Sequence, residues 1–236
     1  MARRRVLFVQ HDHVSPPGPI GERFADRGHD VEEFLVVDEA AFHGDPNVTV
    51  DLPDFRDWDV VVIMGAVWGV YAEDVVGNWL VPEKRRLREA LDAGVPVLGL
   101  CFGGQLLAEV LGGSVARSPA PELGWHLVHS DDPALVPGGA WFQYHYDRWT
   151  LPEGVTDVAR NAAASQAFVA GRALGVQFHP ELTAAMLEGW LANGGTADLR
   201  RAGLDPDVLL GHTREFEADA RCRAHDLVDA FLDRVA

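Results

Sequence analysis

The chain has 236 residues, with 20 Lys and Arg against 36 Asp and Glu, for a formal charge of −16 with histidine neutral. A surface so acidic repels phosphate backbones, and the only basic cluster is Arg3 to Arg5, so the composition excludes a nucleic-acid ligand. With 47% hydrophobic and 24% charged residues, the chain has the make-up of a folded soluble domain and the length to bury a core without disulfides.

The longest uncharged stretch, residues 93–108, is interrupted by Pro96 and several glycines and falls short of the ~18 to 20 residues a membrane span needs. Behind the basic start at Met1 to Arg5 the apolar run is only Val6 to Val9, too short for a secretory h-region, so a cytoplasmic location is expected. The two cysteines, Cys101 and Cys222, are then expected to be free thiols.

In chain order, residues 4–9 read as a buried strand, followed by a turn-rich loop and a short helix ending at Gly28. Residues 31–37 form a second strand. The β-branched run at 60–64 has the pattern of a central parallel strand covered on both faces. Residues 78–93 are helical, with Asn78 as N-cap and Gly94 as stop. A strand at 95–100 and a helix at 103–111 follow. Strand candidates then fall at 114–128, 141–146, 155–159, 167–170 and 173–178, the last returning to the main sheet. After Pro180 the pattern is helical, at 184–192, 205–211 and 214–235. The alternation predicts a doubly wound, mostly parallel α/β sheet with a small antiparallel β addition and C-terminal helices. No linker or repeat divides it, so one domain is expected over 1–236, with its core at about 4–190 and a helical extension at about 196–236.

Gly99-Leu100-Cys101-Phe102-Gly103 fits the pattern of a nucleophile held on a sharp strand-to-helix turn, where flanking glycines avoid collision with neighbouring backbone. At the amino end of a helix the free N–H groups favour the thiolate; a buried core cysteine is the alternative reading of the pentapeptide. A cysteine nucleophile needs a base, and the base needs an orienting partner. Gln177-Phe178-His179-Pro180-Glu181 offers both, with Pro180 restricting the backbone of His179.

The stretches GLCFGGQ (99–105) and QFHPE (177–181), together with the glycine-containing segment Met64 to Tyr71 and Tyr144-His145-Tyr146-Asp147, resemble the class I glutamine amidotransferase family. They look most similar to stand-alone proteins resembling the amidotransferase domain of GMP synthase. The resemblance implies a flavodoxin-like fold and a Cys101, His179, Glu181 triad that hydrolyses a glutamine amide through a thioester. It also implies backbone donors from Ala66 and Phe102 for the oxyanion, and glutamine contacts from Gly65, Gln105, Tyr144, His145 and Tyr146. It implies no cofactor. The length leaves no room for an acceptor domain, so ammonia is expected to go to a separate synthase.

Two positions depart from the family's pattern. Ala66 stands where the family has a second glycine, which is unstrained if its φ is negative. Tyr146 stands where the family has glycine in its His-Gly-Asp element, adding bulk where the head of glutamine would lie, which leaves free glutamine and another γ-glutamyl compound as alternative substrates. A γ-glutamyl hydrolase or peptidase, and a silent ligand-binding homologue, are therefore the competing functions.

Elsewhere His11-Asp12-His13 is expected in the loop after the first strand, as a ligand contact or as solvated polarity, and no metal site has convincing ligand spacing. Trp68 and Tyr71 read as pocket wall or as core, Cys222 as structural, and Arg85, Arg86 and Arg88 as a solvated helix face.

Overall fold

The structure, a computed structural model, describes residues 3–236; Met1 and Ala2, the first residues of the basic start, lie outside the described residues. Among the described residues nine strands form one sheet: β1 (Arg5–Gln10), β2 (Asp30–Leu35), β3 (Val60–Ile63), β4 (Val97–Leu100), β5 (Ser114–Ser130), β6 (Gly139–Thr150), β7 (Thr156–Arg160), β8 (Ser165–Ala170) and β9 (Ala173–Val176). Their order is β2-β1-β3-β4-β9-β8-β7-β5-β6. The first five run parallel, and β9 opens an antiparallel half through β8. The antiparallel part is therefore an extension of the same sheet.

The helices are α1 (Gly18–Asp26), α2 (Glu39–His43), α3 (Glu73–Asp92), α4 (Phe102–Val110), α5 (Ala184–Trp190), α6 (Thr196–Arg201) and α7 (Pro206–Arg234). Side chains alternate across each central strand, which divides the core into two layers. Val6, Phe8, Val60 and Val62 pack with Phe24 of α1 and Leu227, Val228 and Phe231 of α7. Leu7, Val9, Val61 and Ile63 pack on the opposite face with Trp79 and Leu87 of α3 and Leu106 and Leu107 of α4. Each such fully buried side chain contributes about 1.5 to 3 kcal/mol of transfer free energy.

Three expectations need correction. First, α3 begins at Glu73, ahead of Asn78. The helix kinks at Val76, and Asn78 donates its freed backbone N–H to Asn47 Oδ1 and its side-chain amide to the Asn47 carbonyl. Asn78 therefore anchors a loop instead of capping a helix. Second, the expected helices at 205–211 and 214–235 are the single 29-residue α7. Thr213 bridges the junction, donating to the Leu209 carbonyl and accepting from Trp125 Nε1. The tertiary contact outweighs the helix penalty of Gly211, about 1 kcal/mol. Third, β5 is one 17-residue strand, longer than expected, whose pairing with β6 is interrupted between Arg117 and Glu122. Pro119 and Pro121 fall inside that bulge, where no ladder N–H is required. The short α2 and α6 carried no recognisable pattern.

Candidate active site

β4 runs directly into α4, and Cys101 occupies the joint with φ 49° and ψ −104°. It is the only non-glycine with positive φ among the described residues, a conformation that costs about 1 to 3 kcal/mol and persists only where its surroundings hold it. Its N–H donates to the Val176 carbonyl of β9 at 2.8 Å, and its carbonyl accepts from Gln105 N–H at 2.9 Å. The neighbouring glycines are compulsory. A Cβ on Gly99 would lie 2.5 Å from the Gly103 carbonyl oxygen, and one on Gly103 would lie 2.0 Å from the Ile63 carbonyl oxygen. Cys101 is thus held at the amino end of α4, beside N–H groups that have no intrahelical acceptor, that of Phe102 among them.

His179 follows β9, its N–H donating to the Phe142 carbonyl at 2.9 Å. Its ring packs against Trp190 at 5.0 Å between centroids, while the adjacent Phe178 stacks on Trp141 at 4.4 Å. His179 Nδ1 lies 2.7 Å from Glu181 Oε1, the length of a charge-assisted hydrogen bond, and Glu181 is fully buried. His179 Nε2 has no hydrogen-bond partner within the protein. Burial pushes the His179 imidazole down, but the charges of Cys101 and Glu181 outweigh burial and hold it well above its ordinary value. An imidazolium between a sulfur and a carboxylate can give a proton from Nε2 and take one back.

Gly65 and Ala66 follow β3. A Cβ on Gly65 would approach His179 Cε1 to 3.2 Å, so glycine lets the loop lie against the ring. Ala66 avoids positive φ, which meets the condition for alanine there. The cavity between these segments has a volume of about 210 Å³, and its floor includes Cys101, His179, Gly65, Ala66 and Phe102. It opens at the carboxyl ends of β1, β3, β4 and β9, where the chain diverges to opposite sides of the sheet and α/β folds bind ligands.

A family model for class I glutamine amidotransferases matches residues 54–193, more than half of the chain and inclusive of Gly65, Cys101, His179 and Glu181. The chain belongs to the class I glutamine amidotransferase family.

Among curated proteins it is similar to the glutamine-hydrolysing GMP synthase of Aeropyrum pernix, with 35% identity over 170 residues, 66% of this chain and 31% of that one. The GMP synthase of Thermomicrobium roseum is 36% identical over 131 residues, 52% of this chain and 23% of that protein. This chain therefore spans less than a third of the length of either relative. Among solved structures, a glutamine amidotransferase from Thermotoga maritima superposes with a TM-score of 0.84 at 27% identity, covering 99% of this chain and 100% of that one. A second, from Methylobacillus flagellatus, gives 0.84 at 22% identity, covers 100% and 96%, and attests the shared fold.

The residues aligned with the amidotransferase pattern are placed as follows. Gln105 is buried and donates its amide to Gln177 Oε1 at 3.2 Å and to the Asp147 carbonyl at 3.3 Å, while Gln177 Nε2 reaches Cys101 Sγ at 3.7 Å. Gln177, quoted in the motif but given no role, thus links Gln105 to the sulfur. His145 borders the cavity, yet both ring nitrogens are engaged, Nδ1 with the Asp147 carbonyl at 2.9 Å and Nε2 with Gln143 Oε1 at 3.1 Å. Glu122, 3.4 Å from His145 Nε2, has its carboxyl lowered; burial raises it, but hydrogen bonds from His145 and Asn161 outweigh that. Tyr144 donates its hydroxyl to the Gly195 carbonyl at 3.3 Å, and burial raises its phenol, with Asp198 adding to the effect. Tyr146 lies at the rim under the Arg117 guanidinium, 4.6 Å from the ring centroid.

Trp68 and Tyr71 both line the cavity, and Tyr71 donates to the Asp147 carboxylate at 3.1 Å. His11 is fully buried behind the loop, away from any ligand position. Cys222, read as structural, is a free thiol exposed on α7. Arg85 and Arg88 are exposed along α3, as expected, while Arg86 pairs with Glu89 and Asp54. His13 meets Glu39 and His43 of α2, with one ligand-type atom from each within 4.8 Å of the others, a grouping that sequence spacing did not disclose. Asp12, Ser15, Asn193 and Asp198 also border the cavity. Asp12 could be suspected from its position after β1; Asn193, in the segment joining α5 to α6, and Asp198, on α6, lie where the sequence gave no signal. Among the described residues no helix is long and apolar enough to cross a membrane.

Proposed function

We propose that this chain hydrolyses a γ-glutamyl amide through Cys101, His179 and Glu181 and delivers ammonia to a separate acceptor protein. The carrying observation is the positive-φ cysteine at the head of α4 beside an imidazole whose far nitrogen is bound to a buried carboxylate. In this mechanism the Cys101 thiolate attacks the amide carbon, and the Ala66 and Phe102 N–H groups donate hydrogen bonds to the developing oxyanion. His179 Nε2 protonates the leaving nitrogen as the C–N bond breaks, which releases ammonia and leaves the γ-glutamyl thioester. A water then gives its proton to the same Nε2 and attacks the thioester; glutamate departs and the thiolate–imidazolium pair is restored. Glu181 holds Nδ1–H throughout and stabilises the cation. A donor correctly aimed at the oxyanion contributes ~3 to 4 kcal/mol in other hydrolases.

A second reading, a γ-glutamyl hydrolase or peptidase, is favoured by the rim. Beyond Tyr146 and Arg117 the cavity adjoins an open depression of about 750 Å³ bordered by Asp198 and Arg201, with space for a group larger than ammonia. Ammonia release from glutamine, assayed against turnover of γ-glutamyl dipeptides and with candidate synthases added, chooses between the two. Mass spectrometry after a glutamine-analogue electrophile should find the label on Cys101. Absence of ammonia and of γ-glutamyl turnover under every condition, with Cys101 unlabelled, would refute both.

A further inference from the structure

His11 and Glu83 form a charged pair sealed inside the layer between the sheet and α3, both side chains fully buried. His11 Nε2 lies 3.0 and 3.1 Å from the two Glu83 oxygens, and Nδ1 lies 3.0 Å from the Gly65 carbonyl oxygen. The ring is gripped by Phe102 at 4.7 Å and Trp79 at 5.3 Å. Such a pair is seldom favourable for folding, because desolvating two charges cancels most of their attraction. Its one outward connection is to the peptide that joins Gly65 to Ala66.

That peptide is trans, so its C=O and N–H point in opposite directions. Drawing the Gly65 carbonyl down toward His11 turns the Ala66 N–H the other way, to the cavity that Cys101 and His179 share. Among the described residues that peptide makes no other hydrogen bond. Gly65 has no side chain, and the loop continues into the exposed Val67. Each ring nitrogen faces an acceptor, the Gly65 carbonyl at Nδ1 and the Glu83 carboxylate at Nε2, and although burial pushes the imidazole down, these partners hold it above its ordinary value.

From this geometry we infer that the buried His11–Glu83 pair is a positioning device that locks the Gly65–Ala66 peptide with its N–H aimed at the oxyanion formed on attack by Cys101. The inference rests on the proposed role of Cys101 as nucleophile, and its test does not require glutamine to be the substrate. Two reactions of Cys101 are compared: acylation by p-nitrophenyl acetate, which passes through a tetrahedral oxyanion, and alkylation by iodoacetamide, which does not. His11→Asn places an amide donor near the Nδ1 position, and His11→Gln places one near Nε2. Both are similar in size to histidine, and circular dichroism checks that each folds.

His11→Gln should lower the acylation rate by about 10- to 100-fold, less than the ~10²- to 10³-fold lost when an oxyanion donor is removed outright, with alkylation within about twofold of wild type. His11→Asn should recover most of the acylation. Equal effects on both reactions, no effect on either, or no advantage of Asn over Gln would overturn the inference. If wild type never turns over glutamine but the acylation-to-alkylation ratio still falls in His11→Gln, the substrate assignment fails and the positioning role stands.

Discussion

The tightest approach at the elbow makes the sharpest prediction. A methyl group at position 103 would sit 2.0 Å from the Ile63 carbonyl oxygen, 2.7 Å from its carbon and 2.9 Å from its Cβ, about 1.4 Å inside the 3.4 Å where ordinary contact begins. None of these atoms belongs to a flexible side-chain end. Relief therefore requires β3 and α4 to separate in a layer where Ile63 and Leu107 are fully buried. Overpacking in cores costs about 1 to 3 kcal/mol, and a clash with strand backbone belongs at the upper end. For a chain of this size 3 kcal/mol lowers Tm by roughly 6 to 12 °C. Gly77→Ala is the control: its methyl would meet nothing nearer than Glu73 Cβ at 3.8 Å on α3, and it should be neutral or stabilise by about 0.5 to 1 kcal/mol. Calorimetry or urea unfolding measures both variants, and iodoacetamide alkylation of Cys101 reports the elbow itself. A Gly103→Ala protein that melts within 2 °C (roughly 1 kcal/mol) of wild type and alkylates at the wild-type rate would refute the steric account.

Further tests address charge and specificity. The His179 imidazole, held above its ordinary value by Cys101 and Glu181, should titrate well above pH 6.5 by NMR and shift downward in Cys101→Ala; no shift would mean the two do not pair. Because its folded value is raised, its contribution to stability is complete below about pH 6.5 and fades as pH rises through the folded value. Glu181→Gln should cut turnover by about 10²- to 10⁴-fold, and a loss under threefold in steady-state assays would remove Glu181 from the triad. Tyr146→Gly should raise kcat/KM for glutamine relative to γ-glutamyl dipeptides; an unchanged ratio would mean that Tyr146 does not set substrate choice. Asp229, whose carboxyl is lowered chiefly by the Arg23 hydrogen bond and further by Arg27, ties α1 to α7. Its contribution is present above about pH 4 and lost as pH falls through the lowered folded value, so Asp229→Asn should narrow the difference between Tm at pH 7 and at pH 3, which calorimetry across pH reads directly.

The central strands and the elbow are legible in the sequence because their signals are local. A run such as Val60 to Ile63 can satisfy its apolar side chains only when both faces are covered, and the structure buries all four. Glycines at 99 and 103 flanking a cysteine state a steric condition that the backbone contacts bear out. Asn78, and the division of the C-terminal helix after Gly211, misled for the complementary reason. Each carries a strong local preference, for a helix start and a helix break, and each was overruled by a distant partner, Asn47 in one case and the Trp125–Thr213 contact in the other.

The sequence by itself therefore determined which residue types stand at the candidate site: a cysteine on a strand-to-helix turn, a histidine before proline and a glutamate two residues on. Tertiary structure alone decided how those groups are held. It seated Cys101 against β9 through Val176, occupied both nitrogens of His145, connected Gln105 to the sulfur through Gln177, and buried His11 and Glu83 behind the Gly65 carbonyl. Residue types and short spacings carry intrinsic reactivity and local backbone preference. The direction of a hydrogen bond between positions 72 apart in the chain, as between His11 and Glu83, arises only when the sheet has formed and the layers have closed on it.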